Sequence, residues 1–355
     1  MNQSTITQVL GLRVGERVEV RSIDEILATL DDRAALDGLP FMPEMVKFCG
    51  RHFTVFKRAD KVNDLVERSG LRRMRNAILL ADVRCDGRAH GGCETLCQAL
   101  WKEAWLKRVP PGRPQNGAGV PSHGDGSGKG DGSRALKAER FLASATRTPT
   151  ADNEPRFCCQ ITETRKASSY LAWWDPRQYV RDFRSGNVGI AEMARYFGFW
   201  LFLLFLRHGR GYRTWVALYE SLQRRRGGDP LHFRPGSLGK TPTSRLQLRP
   251  GEVVEVKEYG EILETLNEEG KNRGLLFDRE MIKYCGGRFK VLNRVEKLID
   301  PKTGKMVTLN SDCIILDGVT VKGDYHRFYP QNEYPFWREI WLRRVESKHP
   351  SVGKS

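Results

Sequence analysis

With 355 residues, a hydrophobic fraction of 39% and a formal charge of +16, the chain is long for one small core and comfortable for two or three domains. The low apolar content and the 35 glycines exclude a uniformly packed chain and point to folded modules joined by a disordered connector. The charge excess suits an acidic partner, either nucleic acid, an anionic polysaccharide or an anionic membrane surface, and equally the plainer reading of a soluble basic surface.

Met1-Asn2-Gln3-Ser4-Thr5-Ile6 has no basic segment followed by an apolar one, so no secretory signal is read and a cytoplasmic location is expected. The eight cysteines are then expected reduced, as metal ligands or buried small hydrophobes rather than disulfides.

The N-terminal part recurs near the C-terminus at a constant offset of 236 residues without a gap. Gly15-Glu16-Arg17-Val18-Glu19-Val20 matches Gly251-Glu252-Val253-Val254-Glu255-Val256, Cys49-Gly50 matches Cys285-Gly286, and Trp101 and Trp105 match Trp337 and Trp341. From Leu12 to Val109, 36 of 98 positions are identical, which marks duplication of a whole domain rather than a short solenoid unit. Within each copy the Val18/Val20 alternation predicts a strand, and Ser22-Ile23-Asp24-Glu25 is a capping-box pattern opening a short helix. Phe53–Phe56 and Ala77–Leu80 read as further strands, and Leu106–Val109 as one that closes the sheet. The expected fold class is mainly β with short helices (α+β), as two repeated SH3-like β-barrel modules at 10–109 and 246–347.

Residues 110–156 are rich in Gly, Pro and Ser and predict a flexible tether. Their Asp/Gly alternation lacks the closing Glu of an EF-hand, so no calcium loop is assigned. The middle segment, 157–230, carries Cys158-Cys159, Trp173-Trp174-Asp175-Pro176-Arg177 and the apolar run Tyr196–Leu206. That run is too short to span a bilayer, and a plain packing helix is favoured. With the arginines that follow, peripheral membrane contact through 190–226 is the alternative.

The most distinctive stretch is Cys85-Asp86-Gly87-Arg88-Ala89-His90-Gly91-Gly92-Cys93-Glu94-Thr95-Leu96-Cys97. Three cysteines and a histidine between glycines suit an ion better than a disulfide loop. The duplication separates the candidates: Cys49 and His90 pair with Cys285 and His326, whereas Cys85, Cys93 and Cys97 pair with Val321, Tyr329 and Glu333. The second copy therefore keeps the frame and lacks the cluster. If Cys93 and Cys97 lie on a helix they share a face, although Pro330 and Pro335 at the matching region of the second copy argue against a continuous helix. A fourth ligand is needed, and Cys158 or Cys159 is the leading candidate, with His90 and Cys49 as alternatives. Zinc is favoured over an iron–sulfur cluster on ligand chemistry.

The paired tryptophans could stack on bases or sugars, but core residues are favoured, and His326 is expected to be structural. No P-loop, dinucleotide fingerprint, nucleophile elbow or His-Glu-x-x-His is present, while a reactive Cys85 or Cys93 stays open. With its Cys-Asp-Gly-x-x-His-Gly-Gly-Cys and Trp-Trp-Asp-Pro-Arg segments, the chain resembles an uncharacterised bacterial family with duplicated modules, and the resemblance implies metal-binding cysteines. The function expected is a metal-binding accessory or interaction protein with a basic surface for a polyanion. The alternatives are a zinc or iron–sulfur enzyme and a nucleic-acid-binding protein.

Overall fold

Val18 and Val20 are fully buried while Arg17 is exposed, the alternation of a strand with one face on a core. In the computed structural model, which describes residues 9–67, 69–110, 131–148, 154–208, 214, 218, 221–222, 236–321 and 327–345, this strand is β1 (Arg17–Val20). It leads into α1 (Ile23–Leu27), whose cap is the predicted box: the Ser22 N–H donates to the Glu25 carboxylate at 3.0 Å. There follow β2 (His52–Arg58), β3 (Lys61–Asn63), β4 (Leu71–Met74), β5 (Ala77–Arg84), β6 (Gln98–Lys102) and β7 (Leu106–Arg108). An antiparallel sheet of order β6-β5-β2-β1-β7 results, so Leu106–Arg108 closes it against β1. The protein is mainly β with a few short helices.

The chain divides into two compact units, the first comprising residues 1–190 with 297–307 and 322–332, the second 191–296 with 308–321 and 333–355. Two stretches within the range expected for the second module therefore pack with the first unit.

In the first unit Trp101 and Trp105 are fully buried, and Phe41 meets them edge-on at centroid distances of 6.0 and 5.1 Å. The Trp105 indole N–H donates to the Thr29 hydroxyl at 3.0 Å, so its one polar atom is satisfied inside the core. These rings are core, and a base-stacking role is closed to them. Burying each such ring contributes on the order of 3–5 kcal/mol, judged from truncation.

The expected tether is interrupted by α2 (Asp131–Ala145). Ala138 and Leu142 are buried, and Leu142 and Ala145 join the first core. Small and apolar residues at i, i+4 and i+7 are enough to seat a helix, and a composition average over 110–156 hides them. Beyond it, β8 (Ser168–Tyr170) pairs antiparallel with β4, and α3 (Arg177–Ser185) follows. The apolar run lies in α4 (Ile190–His208), and no helix among the described residues is long and apolar enough to cross a membrane. Ile190, Trp200 and Leu201 on α4 are exposed, so those described side chains do not follow the buried-helix expectation. Most of the arginines expected beside it, Arg210, Arg213 and Arg224 to Arg226, fall outside the described residues.

The second unit holds β9 (Val253–Val256), β10 (Arg288–Arg294), β11 (Ile314–Leu316) and β12 (Leu342–Arg344) in the order β11-β10-β9-β12. Val18 faces Phe53 in β1–β2, and Val254 faces Phe289 in β9–β10. A register shift between Val55 and Lys57 has its match between Val291 and Asn293, so even the bulge sits at the same place in both sheets. Trp337, Trp341 and Phe277 form a second buried aromatic cluster.

Candidate metal centre

β5 ends at Arg84 and β6 begins at Gln98, so Cys85 and Cys97 stand at the two feet of one loop. The Cys85 N–H donates to the Cys97 carbonyl at 2.9 Å and ties the feet together. The loop is not a helix. Leu96 has φ of 52° and Gly91 and Gly92 are also left-handed, a backbone that breaks the helical face proposed for Cys93 and Cys97.

At Gly87 (φ +67°) an added Cβ would lie 1.9 Å from the Cys93 carbonyl oxygen. The Gly87 carbonyl meanwhile accepts the N–H groups of His90 and Gly92, each at 3.0 Å. Only glycine lets the strand folding back reach this close. Gly87→Ala is therefore expected to open the loop, with a loss of about 1–3 kcal/mol and release of any metal it holds. Thermal unfolding together with metal analysis of the variant checks this.

Around this turn Glu44, Cys85 and His90 place one ligand atom each within 4.8 Å of one another, and they could hold a metal ion. No other group of three such side chains is this close among the described residues. His90 Nδ1 lies 2.8 Å from Glu44 Oε1, which also accepts the Ala89 N–H at 3.1 Å. Glu44 Oε2 and His90 Nε2 are buried without a hydrogen-bond partner. Burial works to raise the Glu44 carboxyl, but the hydrogen bond and charge of His90 and the Ala89 N–H outweigh it and hold it below the ordinary range.

The remaining thiols stand near this group without closing on it. The Thr95 hydroxyl lies 3.3 Å from Cys93 Sγ and 3.1 Å from Cys97 Sγ. Burial pushes the Cys85 thiol far up, and the charges of Glu44, Cys97 and Cys159 add to the shift, while the Gly87 N–H, donated to its sulfur at 3.4 Å, opposes it. Cys159 is pushed up to about 11 by burial, with Cys93 contributing in the same direction. Without a cation Cys85 and Cys159 stay protonated, so neither is an activated nucleophile.

Cys158 and Cys159 diverge despite being neighbours. Cys159 packs against the first core and its N–H donates to Thr162 at 2.9 Å, whereas Cys158 Sγ lies 3.2 Å from the Thr148 hydroxyl. Cys49 caps a short 3-10 helix (Pro43–Phe48) against the same core, and burial raises its thiol to about 11. Its counterpart Cys285 caps the matching turn, Arg279–Tyr284, so the shared role is in the frame. His326 lies outside the described residues.

Glu44 is not among the candidates read from the sequence. Its signal is that both members of the Glu44–His90 pair recur as Glu280 and His326. The loop feet recur as well: the Val321 N–H donates to the Glu333 carbonyl at 2.9 Å, as Cys85 does to Cys97. The second copy thus builds the base of this loop with no cysteine in it. No family model matches the chain, and no curated protein matches it either.

Proposed function

We propose that the protein is a zinc-stabilised interaction protein of the reducing cytoplasm, built on two SH3-like modules, whose basic surface meets a polyanion. The observation that carries the zinc reading is the contrast between copies: the loop base persists where Val321, Tyr329 and Glu333 replace Cys85, Cys93 and Cys97, so the cysteines serve something the fold itself does not need. Cys85, Cys93, Cys97 and Cys159 supply the four sulfurs of a closed structural site. A cation held there would favour the thiolate forms of Cys85 and Cys159 that burial disfavours. The Gly87 N–H on Cys85 and the Thr95 hydroxyl between Cys93 and Cys97 are the outer hydrogen bonds that steady metal-bound thiolates.

A second ligand set is favoured by distance, since Glu44, Cys85 and His90 are the group already within 4.8 Å. Metal analysis separates the two. Purified protein is expected to be colourless with stoichiometric zinc, to lose it in Cys93→Ser and Cys159→Ser, and to keep it in His90→Gln. Loss in His90→Gln and Glu44→Gln with retention in Cys159→Ser places the ion in the second set. A brown chromophore replaces zinc by an iron–sulfur cluster, and absence of metal from every preparation refutes the reading.

A further inference from the structure

Both units carry a cavity at the same place in the duplicated frame, of about 390 Å³ in the first and about 320 Å³ in the second. Arg58 and Asp60 in the first correspond to Arg294 and Glu296 in the second, 236 residues on. The shape is therefore common to both copies. The charge is not. In the second, Leu309 and Ser311 occupy the positions of Arg73 and Arg75, and Glu296 and Asp312 stand beside Arg245 and Arg294.

In the first cavity Arg73 and Arg75, from the end of β4, are joined by Arg13 and by Arg181 and Arg184 of α3. None of these five guanidinium groups forms an ion pair with a carboxylate among the described residues. The single carboxylate in the wall, Asp60, is already taken by Arg58, at 3.1 Å from its Nε. Arg181 Nε is buried without a hydrogen-bond partner. Arg13, Arg75 and Arg184 are exposed to solvent while Arg181 keeps its buried Nε open, and an anion with several oxygens would bond to these like charges together.

The chain leading into α3, whose Arg181 and Arg184 line the cavity, supplies a second kind of contact. Trp173 and Trp174, on the segment that enters α3, are 58% and 68% exposed, whereas Tyr170 on β8 stands opposite Arg72, on the other face of β4 from Arg73 and Arg75. α3 itself faces the wrong way for a packing helix: it buries Gln178, Asp182 and Ser185 and exposes Val180 and Phe183. Inside, Asp182 takes the buried Lys61 ammonium at 2.5 Å, which fixes the helix and leaves its arginine and apolar side to solvent. Exposed indoles on the chain that carries unpaired arginines are the two components of a single-strand binding surface, with the rings stacking bases and the cations tracking phosphates.

We infer that the first unit binds single-stranded nucleic acid here, a backbone phosphate entering the arginine-lined cavity and bases stacking on Trp173 and Trp174. The inference rests on the polyanion reading above and gives it a site and a substrate class. Fluorescence anisotropy of the full chain with a labelled oligothymidylate tests it, with alginate, an anionic polysaccharide, as competitor. Binding is expected to weaken steeply between about 50 and 200 mM salt. The double variant Arg73→Leu/Arg75→Ser, which gives the cavity its second-copy lining, and Arg181→Gln should each lower affinity at least tenfold and flatten the salt slope by about 0.7 for each phosphate no longer neutralised. Trp173→Ala/Trp174→Ala should lower affinity on the order of tenfold at unchanged slope. Circular dichroism of each variant verifies its fold. Oligothymidylate binding that is absent at low salt, or indifferent to all three variants, overturns the inference. If alginate binds while the oligonucleotide does not, nucleic acid is the wrong ligand and the polyanion reading survives; if neither binds, both fall.

Discussion

Replacing Glu103 by alanine is expected to lower the stability of the first unit by about 3–5 kcal/mol, the range for removing one partner of a buried charge network. Glu103 is 1% exposed. Its carboxylate accepts the N–H groups of Leu10, Gly11 and Leu12 at 2.9, 3.1 and 2.9 Å and also holds the Arg58 guanidinium. Alanine removes the acceptor of three backbone donors and half-frees a buried cation; the buried Leu12 N–H bears its full desolvation cost, while the part-buried Leu10 and Gly11 N–H groups can turn to water. Arg58 keeps Asp60 and the Leu12 carbonyl, which sets the effect toward the lower end. Glu339 repeats the arrangement in the second unit, accepting from Leu246, Gln247 and Leu248 at 2.7, 3.1 and 2.8 Å and from Arg294 at 2.6 Å. Glu339→Ala should therefore destabilise its own unit similarly. Urea unfolding followed by tryptophan fluorescence reads both, and a change below about 1 kcal/mol in either would show that the clasp is spectator geometry.

The same clasp gives a pH dependence of defined sign. Burial works to raise the Glu339 carboxyl, but the Leu248 N–H, Arg294 and the neighbouring N–H groups prevail and hold it below the ordinary carboxylate range. A folded-state pKa below the unfolded one means that its contribution is complete above the unfolded value and is lost as pH falls through the depressed one. Acid should therefore weaken wild-type protein more than Glu339→Ala.

Much of the frame is legible without coordinates because the signals are local. Val18/Val20 alternate and Ser22 and Glu25 cap α1, each acting within a few residues of itself, and the tryptophan pairs are legible because they recur in the second copy. The helix α2 is hidden because its seating residues, Ala138 and Leu142, sit among glycines and serines that dominate any average. The four-residue spacing of Cys93 and Cys97 offers a helical option for the loop 85–97, and the left-handed Leu96 between them removes it. Glu103 and Glu339 are visible only as identical residues, since their value lies in partners about ninety positions away. The arginine cavity is non-local in the same way: Arg13, Arg73 and Arg181 come from three separate stretches and meet only in the fold.

Stripping the metal is expected to loosen the first unit while leaving the second unchanged. For a bound ion the stabilisation follows its saturation, about 4 kcal/mol when free metal stands at a thousand times the dissociation constant. Full unfolding, as in a small zinc finger, is not expected. The first core already holds Trp101, Trp105, Phe41 and the strands of a five-stranded antiparallel sheet, and the second copy closes the equivalent loop through Val321 and Glu333 with bonds of 2.9 and 3.2 Å. What the cysteines add must then lie in the loop between the feet, where Gly87, Gly91, Gly92 and Leu96 all adopt left-handed backbone and where Cys85, Cys93 and Cys97 sit half-buried. Hydrogen exchange should accelerate across residues 85–97 on chelation and stay constant across β9 to β12. Cys85→Ser should reproduce the chelated state and abolish any further response to chelator. Equal destabilisation of both units, or none, would place the role of these cysteines outside metal binding and return them to ordinary packing of the core.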